Sequence, residues 1–310
     1  MVEHSTALAI DIGSNAMRCA VGTLDASGDL KILSQLRAPV SIGRAVFNTK
    51  DRLINQTTID SALIALTNFL EEGKRFGASH IRAVATSAMR DATNASALIN
   101  AAQEQLNLTI NIISGEEEAR LVRHAVSNNY DVTKELIGIL DIGGGSAEFS
   151  LIDHGALVFA ISERVGTIRL LQAVSEQKIS TARFTDRIKK VIDSLAQKIE
   201  QNLEGKTLES LLATGGNVEE LGRLRTQIIP GKKKANKIRL EELNTIIALL
   251  EPLTPVEREQ KFGFRPDRAD VILPASIILR EILLRAKLNK IKIPGVGLRD
   301  GVLLELLSSI

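Results

Sequence analysis

The stretch LDIGGGSAEFSL, residues 140–151, sets three consecutive glycines between an Asp-Ile pair and a serine, then resumes an apolar alternation carrying one acid, Glu148. Fixing glycine costs more backbone entropy than fixing any other residue, so three in a row need a reason. Two reasons are open: a tight hairpin turn, or a loop whose backbone must come close to a ligand. The flanking sequence reads as a meander: strand Ile137 to Asp141, turn Gly143 to Gly145, strand Ala147 to Ile152, turn Asp153-His154-Gly155, strand Ala156 to Ile161.

The same grammar stands 130 positions earlier. Ala7 to Asp11 reads as a strand ending at Asp11-Ile12-Gly13-Ser14-Asn15, Met17 to Thr23 as a second, and Leu30 to Leu36 as a third after the turn Asp25 to Asp29. Each meander opens on Asp-Ile-Gly, and helices alternating with strands follow each. After the first come a helix over Thr58 to Phe76, a strand Ile81 to Ala85, a short helical stretch beyond Arg90, a strand Leu108 to Ile113 and a helix from Gly115. After the second come a long helix, Ser180 to Leu203, a strand near Leu208 to Ala213, a glycine pair and further helices. A unit of this kind, present twice, predicts an α/β chain of two similar domains facing each other across a cleft. The first is expected over 1–128, completed by a C-terminal helix in 299–310 (Asp300 to Leu307), and the second over 129–298. The break in apolar pattern at Asn128 to Lys134 sets the boundary.

Composition narrows the function classes. A chain of 310 residues, 44% hydrophobic and 25% charged, is neither disordered nor fibrous. A formal net charge of +2 argues against a duplex nucleic-acid binder. The dense basic run Lys232 to Lys234, with Lys237 and Arg239 nearby, reads as a solvated loop or a local groove. The single cysteine, Cys19, excludes an internal disulfide and fits a reducing cytoplasm, and its apolar neighbours make it a core residue. The N-terminal MVEHSTALAIDIG has no secretory pattern, and no apolar run approaches the roughly 18 to 20 residues that span a bilayer. His4, His80, His124 and His154 are scattered without metal-ligand spacing, so a zinc site is not expected.

Glycine turns let several backbone N–H groups point at one anion, an arrangement that suits phosphate, and Ser14, Asn15 and Ser146 add side-chain donors. The carboxylates of Asp11, Asp141 and Glu148 cannot bind phosphate directly; they make sense with a hard divalent cation such as Mg²⁺ between them and phosphate oxygens. Asp11 stands seven residues before Arg18, and Asp141 seven before Glu148, so one copy offers a cation where the other offers an acid. In IISGEEEARLV, residues 112–122, Ser114 and Glu117 have capping-box spacing and Glu116 suits the helix dipole. Glu118 is left over, either as a group that takes a proton from water or as one of three solvated acids. In VATSAMRDATN, residues 84–94, Arg90 is placed to grip a phosphate, or else Ser87 caps a helix and Arg90 pairs with Asp91 on the surface.

With DIGSNAMR, ATSAMRDATN, ISGEEEARL, LDIGGGSAEFSL, ATGGNVEEL, RPDRADVILPA and GVGLRDGVL in this order, the chain resembles the exopolyphosphatase / guanosine pentaphosphate phosphatase family over essentially its whole length. That family lies in the superfamily of actin, sugar kinases and heat-shock ATPases, so the resemblance implies two duplicated RNase H-like domains. It implies hydrolysis of a terminal phosphoanhydride, releasing orthophosphate from inorganic polyphosphate or guanosine pentaphosphate. A non-hydrolysing sensor of the same ligands is the alternative from another class. The resemblance assigns Glu118 as general base, and Asp141 and Glu148 as the acids that hold Mg²⁺ and orient water; the reading of the turns adds Asp11 at the metal. Gly13, Ser14, Asn15 and Arg18 match the first phosphate loop, and Gly143, Gly144, Gly145 and Ser146 the second. Arg90 matches an arginine near the substrate phosphates, and Gly215 and Gly216 the superfamily's nucleoside-side loop. K⁺ as a second ion, a cytoplasmic homodimer, and no membrane or duplex partner complete the expectation. Two departures stand out: Val40-Ser41-Ile42-Gly43-Arg44 lacks the basic residue many relatives carry before this turn, and the chain ends at Ile310 without the C-terminal helical HD-type domain of longer relatives.

Overall fold

The computed structural model describes residues 5–175, 181–231 and 233–309, in two compact units: Met1–Asn129 with Val296–Ile310, and Tyr130–Gly295. His4 and Lys232, and the expected helix start at Ser180, lie outside the described residues.

Unit 1 begins with the strands β1 (Thr6–Ile12), β2 (Met17–Leu24) and β3 (Leu30–Ala38). Helices α1 (Ile42–Phe47) and α2 (Gln56–Arg75), strand β4 (His80–Ala85), helices α3 (Ser87–Asp91) and α4 (Ala95–Leu106), strand β5 (Ile110–Ile112) and helix α5 (Gly115–Asn129) follow. The sheet runs β3-β2-β1-β4-β5, an antiparallel meander extended by two strands parallel to β1. Ala7 to Ile12 are buried at every position, as a central strand covered on both faces requires. Helix α2 starts where the Asn55 side chain accepts the Thr58 N–H at 2.9 Å. Its buried Ile59, Ala62, Leu63, Leu66 and Phe69 fall at helical spacing on one stripe.

Unit 2 repeats the plan with β6 (Leu136–Ile142), β7 (Ala147–Asp153) and β8 (Ala156–Glu163), then α6 (Thr167–Ser175), α7 (Thr181–Leu203) and β9 (Ser210–Thr214). Next come α8 (Gly216–Ile228), β10 (Lys237–Arg239), α9 (Leu240–Leu250), α10 (Pro255–Phe262), α11 (Pro266–Ala269), α12 (Ile272–Arg285) and β11 (Lys290–Lys292). The sheet order is β10-β11-β9-β6-β7-β8: the same meander and parallel extension, with β10 added antiparallel at the edge. Helix α12 is buried at ten positions and fills the core, and Pro274 is tolerated because it sits in the first turn, where no intrahelical donor is needed. The last helix, α13 (Leu298–Ser308), belongs to unit 1 and packs Leu298, Val302, Leu303, Leu304 and Leu307 inward against α5 and β1. Outside that packing, Arg82 and Arg120 both reach Glu117 and Glu305, tying α13 to β4 and α5. Among the described residues no helix is long and apolar enough to cross a membrane.

The expected strand Leu108 to Ile113 is shorter, three residues, because Leu108 turns inward before the ladder begins and Ile113 carries only the closing hydrogen bond to Ala85. The structure also contains a wholly buried ion pair in unit 2. Arg225 Nε and Nη2 donate to the two oxygens of Glu242 at 2.6 and 3.0 Å, and Arg225 Nη1 donates to the Lys234 carbonyl at 3.0 Å. Removing one partner strands the other charge away from water. Glu242→Ala is expected to lower the unfolding free energy by about 3–5 kcal/mol in urea titration. Arg225→Met with Glu242→Leu is expected to recover most of that loss, and a double variant as unstable as the single one would refute the stranded charge as its cause.

Candidate active site

In unit 2 strand register places Thr214, Asp141, Glu148 and Ser162 as successive partners across β9, β6, β7 and β8. Thr214 Oγ1 donates to Asp141 Oδ1 at 2.8 Å, and Ser162 Oγ donates to Glu148 Oε1 at 2.8 Å. Asp141 is 8% and Glu148 2% exposed, and each offers a carboxylate oxygen within 4.8 Å of the other. Like charges opposed on adjacent strands repel, and burial worsens the cost. Hydroxyl donors orient the two groups without neutralising them. An all-oxygen donor set of this kind fits a hard cation of the Mg²⁺ or Ca²⁺ type and not a soft one.

The triple-glycine turn next to them is fixed by its carbonyls. Gly143 O accepts the Thr167 N–H at 3.1 Å, Gly144 O accepts the Ile168 N–H at 2.8 Å, and Gly145 O accepts from Arg169 Nε at 2.9 Å. The start of α6 therefore holds the turn from behind. Gly166 makes this possible, since a Cβ there would lie 2.2 Å from the Gly145 nitrogen and 2.3 Å from the Gly144 carbonyl. Gly215 closes the other side: at φ +98° it launches α8, and a Cβ on it would meet Asp141 Oδ1 at 2.9 Å. Behind α6, Asn217 Nδ2 donates to Thr167 Oγ1 at 3.3 Å, and the buried Arg268 donates to Asn217 Oδ1. The RPDRADV segment thus supports the turn through two intermediaries.

In unit 1 the equivalent register pairs Asp11 with Arg18, flanked by Val84 and Arg37. Here an acid faces a cation, as the sequence spacing implied. Gly13, Ser14 and Asn15 form the turn, with Ser14 and Asn15 buried. Ser14 Oγ accepts the Ala88 N–H at 3.2 Å, standing in for a cap on α3, whose own N-cap Thr86 provides none. A hydroxyl so used keeps its proton for donation. The Ser14 carbonyl accepts the Gly43 N–H at 2.8 Å, so the Val40 to Arg44 segment touches this turn through backbone.

Two sequence alternatives are corrected in unit 1, the Ser87 cap and the solvated Glu118. Ser87 is the first residue of α3 and not its cap, because Thr86 still has non-helical backbone angles. Arg90 reaches α5: its Nη1 donates to Glu118 Oε2 at 2.9 Å and to the Ile113 carbonyl at 2.8 Å. Glu118 is not one of three solvated acids. It is 6% exposed, while Glu116 is exposed and Glu117 half-buried. The Ser114 Oγ does accept the Glu117 N–H at 3.1 Å, but the Glu117 carboxylate is drawn off by Arg120 at 2.7 and 2.8 Å. That hydrogen bond, more than offsetting burial, holds Glu117 below the ordinary carboxylate range. The Cys19 thiol is pushed up to about 11, chiefly by burial, which suits a core residue and not a nucleophile.

Sequence reasoning did not find Thr214, Ser162, Gly166, Thr167 or Arg169. Thr214 stood inside the quoted ATGGN, and VGTIRL carried the Gly166-Thr167 signal without a motif to mark it. Asp141, Glu148 and the Gly143 to Ser146 turn belong to one element pair, and Arg90 with Glu118 to one ion pair; Gly216 starts α8 beside Gly215.

A duplicated α/β chain with glycine turns and buried acids at strand ends is of the phosphate-handling class. A family model described as the Ppx/GppA phosphatase family matches residues 22–310, and the chain belongs to that family. Among curated relatives, it is 25% identical over 303 residues to Exopolyphosphatase 1 of Mycobacterium tuberculosis, covering 97% of this chain and 88% of that one. It is also 25% identical over 302 residues to the guanosine-5'-triphosphate,3'-diphosphate pyrophosphatase of Aeromonas hydrophila, covering 97% of this chain and 59% of that protein. The crystal structure of an exopolyphosphatase from Cytophaga hutchinsonii shares the fold, with a TM-score of 0.88, 22% identity and 99% of both chains covered.

Because the backbone behind Gly166 has no room to retreat, Gly166→Ala is expected to lower the unfolding free energy by about 1–3 kcal/mol, read by urea titration. An unchanged midpoint would show that α6 does not hold the glycine turn this tightly.

Proposed function

We propose that the chain is an exopolyphosphatase, releasing orthophosphate processively from the ends of inorganic polyphosphate. The observation that carries this reading is the buried Asp141–Glu148 pair beside the Gly143 to Gly145 turn. Membership of a phosphatase family and the likeness to Exopolyphosphatase 1 support it.

In this reading Asp141 and Glu148, with Asp11, hold Mg²⁺, and K⁺ serves as an accessory ion. The cation, when bound, offsets substrate charge and draws electron density from the phosphoryl oxygens. The amide N–H groups of Gly143, Gly144, Gly145 and Ser146, and those of Gly13, Ser14 and Asn15, take phosphate oxygens, with Arg18 and Arg90 as cationic contacts. Gly215 and Gly216 form the loop on the distal side of the substrate. Glu118 takes the proton of a water whose oxygen attacks the terminal phosphorus, and the bond from that phosphorus to the bridging oxygen breaks. Arg90 fits the task of aiming Glu118, since its 2.9 Å contact fixes one carboxylate oxygen. A homodimer working in the cytoplasm completes the proposal.

Guanosine pentaphosphate 5′-phosphohydrolysis is the second reading, favoured by the likeness to the Aeromonas pyrophosphatase. Phosphate release compared on short polyphosphate, long polyphosphate and guanosine pentaphosphate decides between them; the proposal requires the highest kcat/KM on polyphosphate. Glu118→Gln is expected to reduce release by roughly 10²- to 10⁴-fold, the contribution of a positioned base. Near wild-type rates in that variant would sink the base assignment. Chelation with EDTA, and separately Asp141→Asn, are expected to abolish release, with Mg²⁺ restoring the chelated wild type only.

A further inference from the structure

The edge of the unit 2 sheet carries a charge pattern that the proposed chemistry does not use. Strands β10 and β11 pair with Lys237 opposite Lys292, Ile238 opposite Ile291, and Arg239 opposite Lys290. Opposed residues share a face of the sheet, so the two isoleucines, both fully buried, point to the core and the four cations stand together on the other face. Like charges directly opposite weaken a ladder. Lysines on an outermost strand guard against strand addition, but β11 lies between β10 and β9 and has no edge to guard. Of its two cations, the exposed Lys290 needs another reason.

Three of the four are available to a ligand. Lys237, Arg239 and Lys290 are exposed; Lys237 and Lys290 form no ion pair among the described residues, and Arg239 meets only Glu241 at 3.7 Å. Lys292 is taken inward, donating to Tyr130 and to Ser210 Oγ at 2.9 Å, with Glu135 at 3.7 Å. Exposed Lys233 and Lys234 lie on the segment leading into β10. Beside the ribbon is a cavity of about 430 Å³ lined by Arg239, Leu240, Glu241, Asn244, Asn289 and Lys290. Two cations and two amide side chains supply the donors that phosphate oxygens accept.

We infer that this ribbon and cavity form an accessory site for the distal stretch of a polyphosphate chain, an inference that rests on the exopolyphosphatase reading. No aromatic side chain lines the cavity, so nothing offers bases a stacking platform, which favours a bare phosphate chain over single-stranded nucleic acid. A long substrate held here as well as at its reacting end gains affinity through effective concentration, and a short one does not. The site therefore sets chain-length preference.

The test uses the full chain carrying Lys237→Gln, Arg239→Gln and Lys290→Gln together, with a Lys237→Arg, Lys290→Arg variant as the charge-preserving control. The triple variant is expected to raise KM for long-chain polyphosphate about 10- to 100-fold, with tripolyphosphate kinetics and kcat unchanged. In EDTA, where no turnover occurs, it is expected to bind labelled long-chain polyphosphate more weakly and with a shallower salt dependence, while the arginine control matches wild type. Unchanged KM and unchanged binding in the triple variant would overturn the inference. So would stronger competition by a single-stranded oligonucleotide of equal charge than by polyphosphate. If wild type releases no phosphate from any polyphosphate, the exopolyphosphatase reading fails by itself, and the EDTA binding difference still decides for or against the site.

Discussion

Two carboxylates, Asp141 and Glu148, stand opposite each other on adjacent strands with almost no access to water. Coulomb repulsion and desolvation act on them together, so the surrounding elements can be understood as what that arrangement demands. The strands on either side contribute hydroxyls, Thr214 and Ser162, and no further acid. The turn joining the pair carries no side chains at three positions, and α6 grips its carbonyls from behind. Gly215 gives way next to Asp141 so that α8 can begin there. Carboxylate oxygens held this close together fit a hard cation between them.

Support for this arrangement is largely polar. With 3% aromatic residues the chain has few large rings with which to lock helices together, and in unit 2 buried guanidinium groups serve instead. Arg258 donates to the Leu250 carbonyl at the end of α9 and to the Ala269 carbonyl at the end of α11, both at 3.0 Å. These are carbonyls that helix termini leave without intrahelical partners. Burial pulls the Arg258 proton affinity below its usual level, a cost that the two directed hydrogen bonds offset. Arg225 does the same for the Lys234 carbonyl while pairing with Glu242, and Arg268 reaches the site through Asn217. Arg258 spans a gap between helices that a leucine would leave with stranded carbonyls.

Much of this was legible in the sequence because the meanders are governed by local rules. Short apolar runs, turn glycines and the Asp-Ile-Gly repeat place six strands to within one or two residues. What stayed hidden depends on partners far along the chain. Spacing alone leaves Glu118 open between a proton-taking group and a solvated acid, because the residue that draws it inward, Arg90, is 28 positions away. Gly166 had no signature because its necessity comes from the backbone of Gly144 and Gly145, which only the folded turn brings within 2.3 Å. Lys237 and Arg239 read only as neighbours of a basic run and KIK carries no sequence signal, since a single isoleucine between cations is too short an alternation to announce a ladder.

The duplication supplies an internal comparison for the chemistry. Both units place an aspartate one residue before the strand's last position and pair it in register with the residue seven further on, yet one pair is Asp11–Arg18 and the other Asp141–Glu148. Register cannot explain the difference, because the two meanders share strand order and register. Stability cannot either, since an opposed acid and base are the better pair on a sheet and the second unit has abandoned that gain. A buried like-charge pair kept where the fold allowed an acid opposite a base sets two carboxylate oxygens within 4.8 Å of each other, a donor set that fits a hard cation.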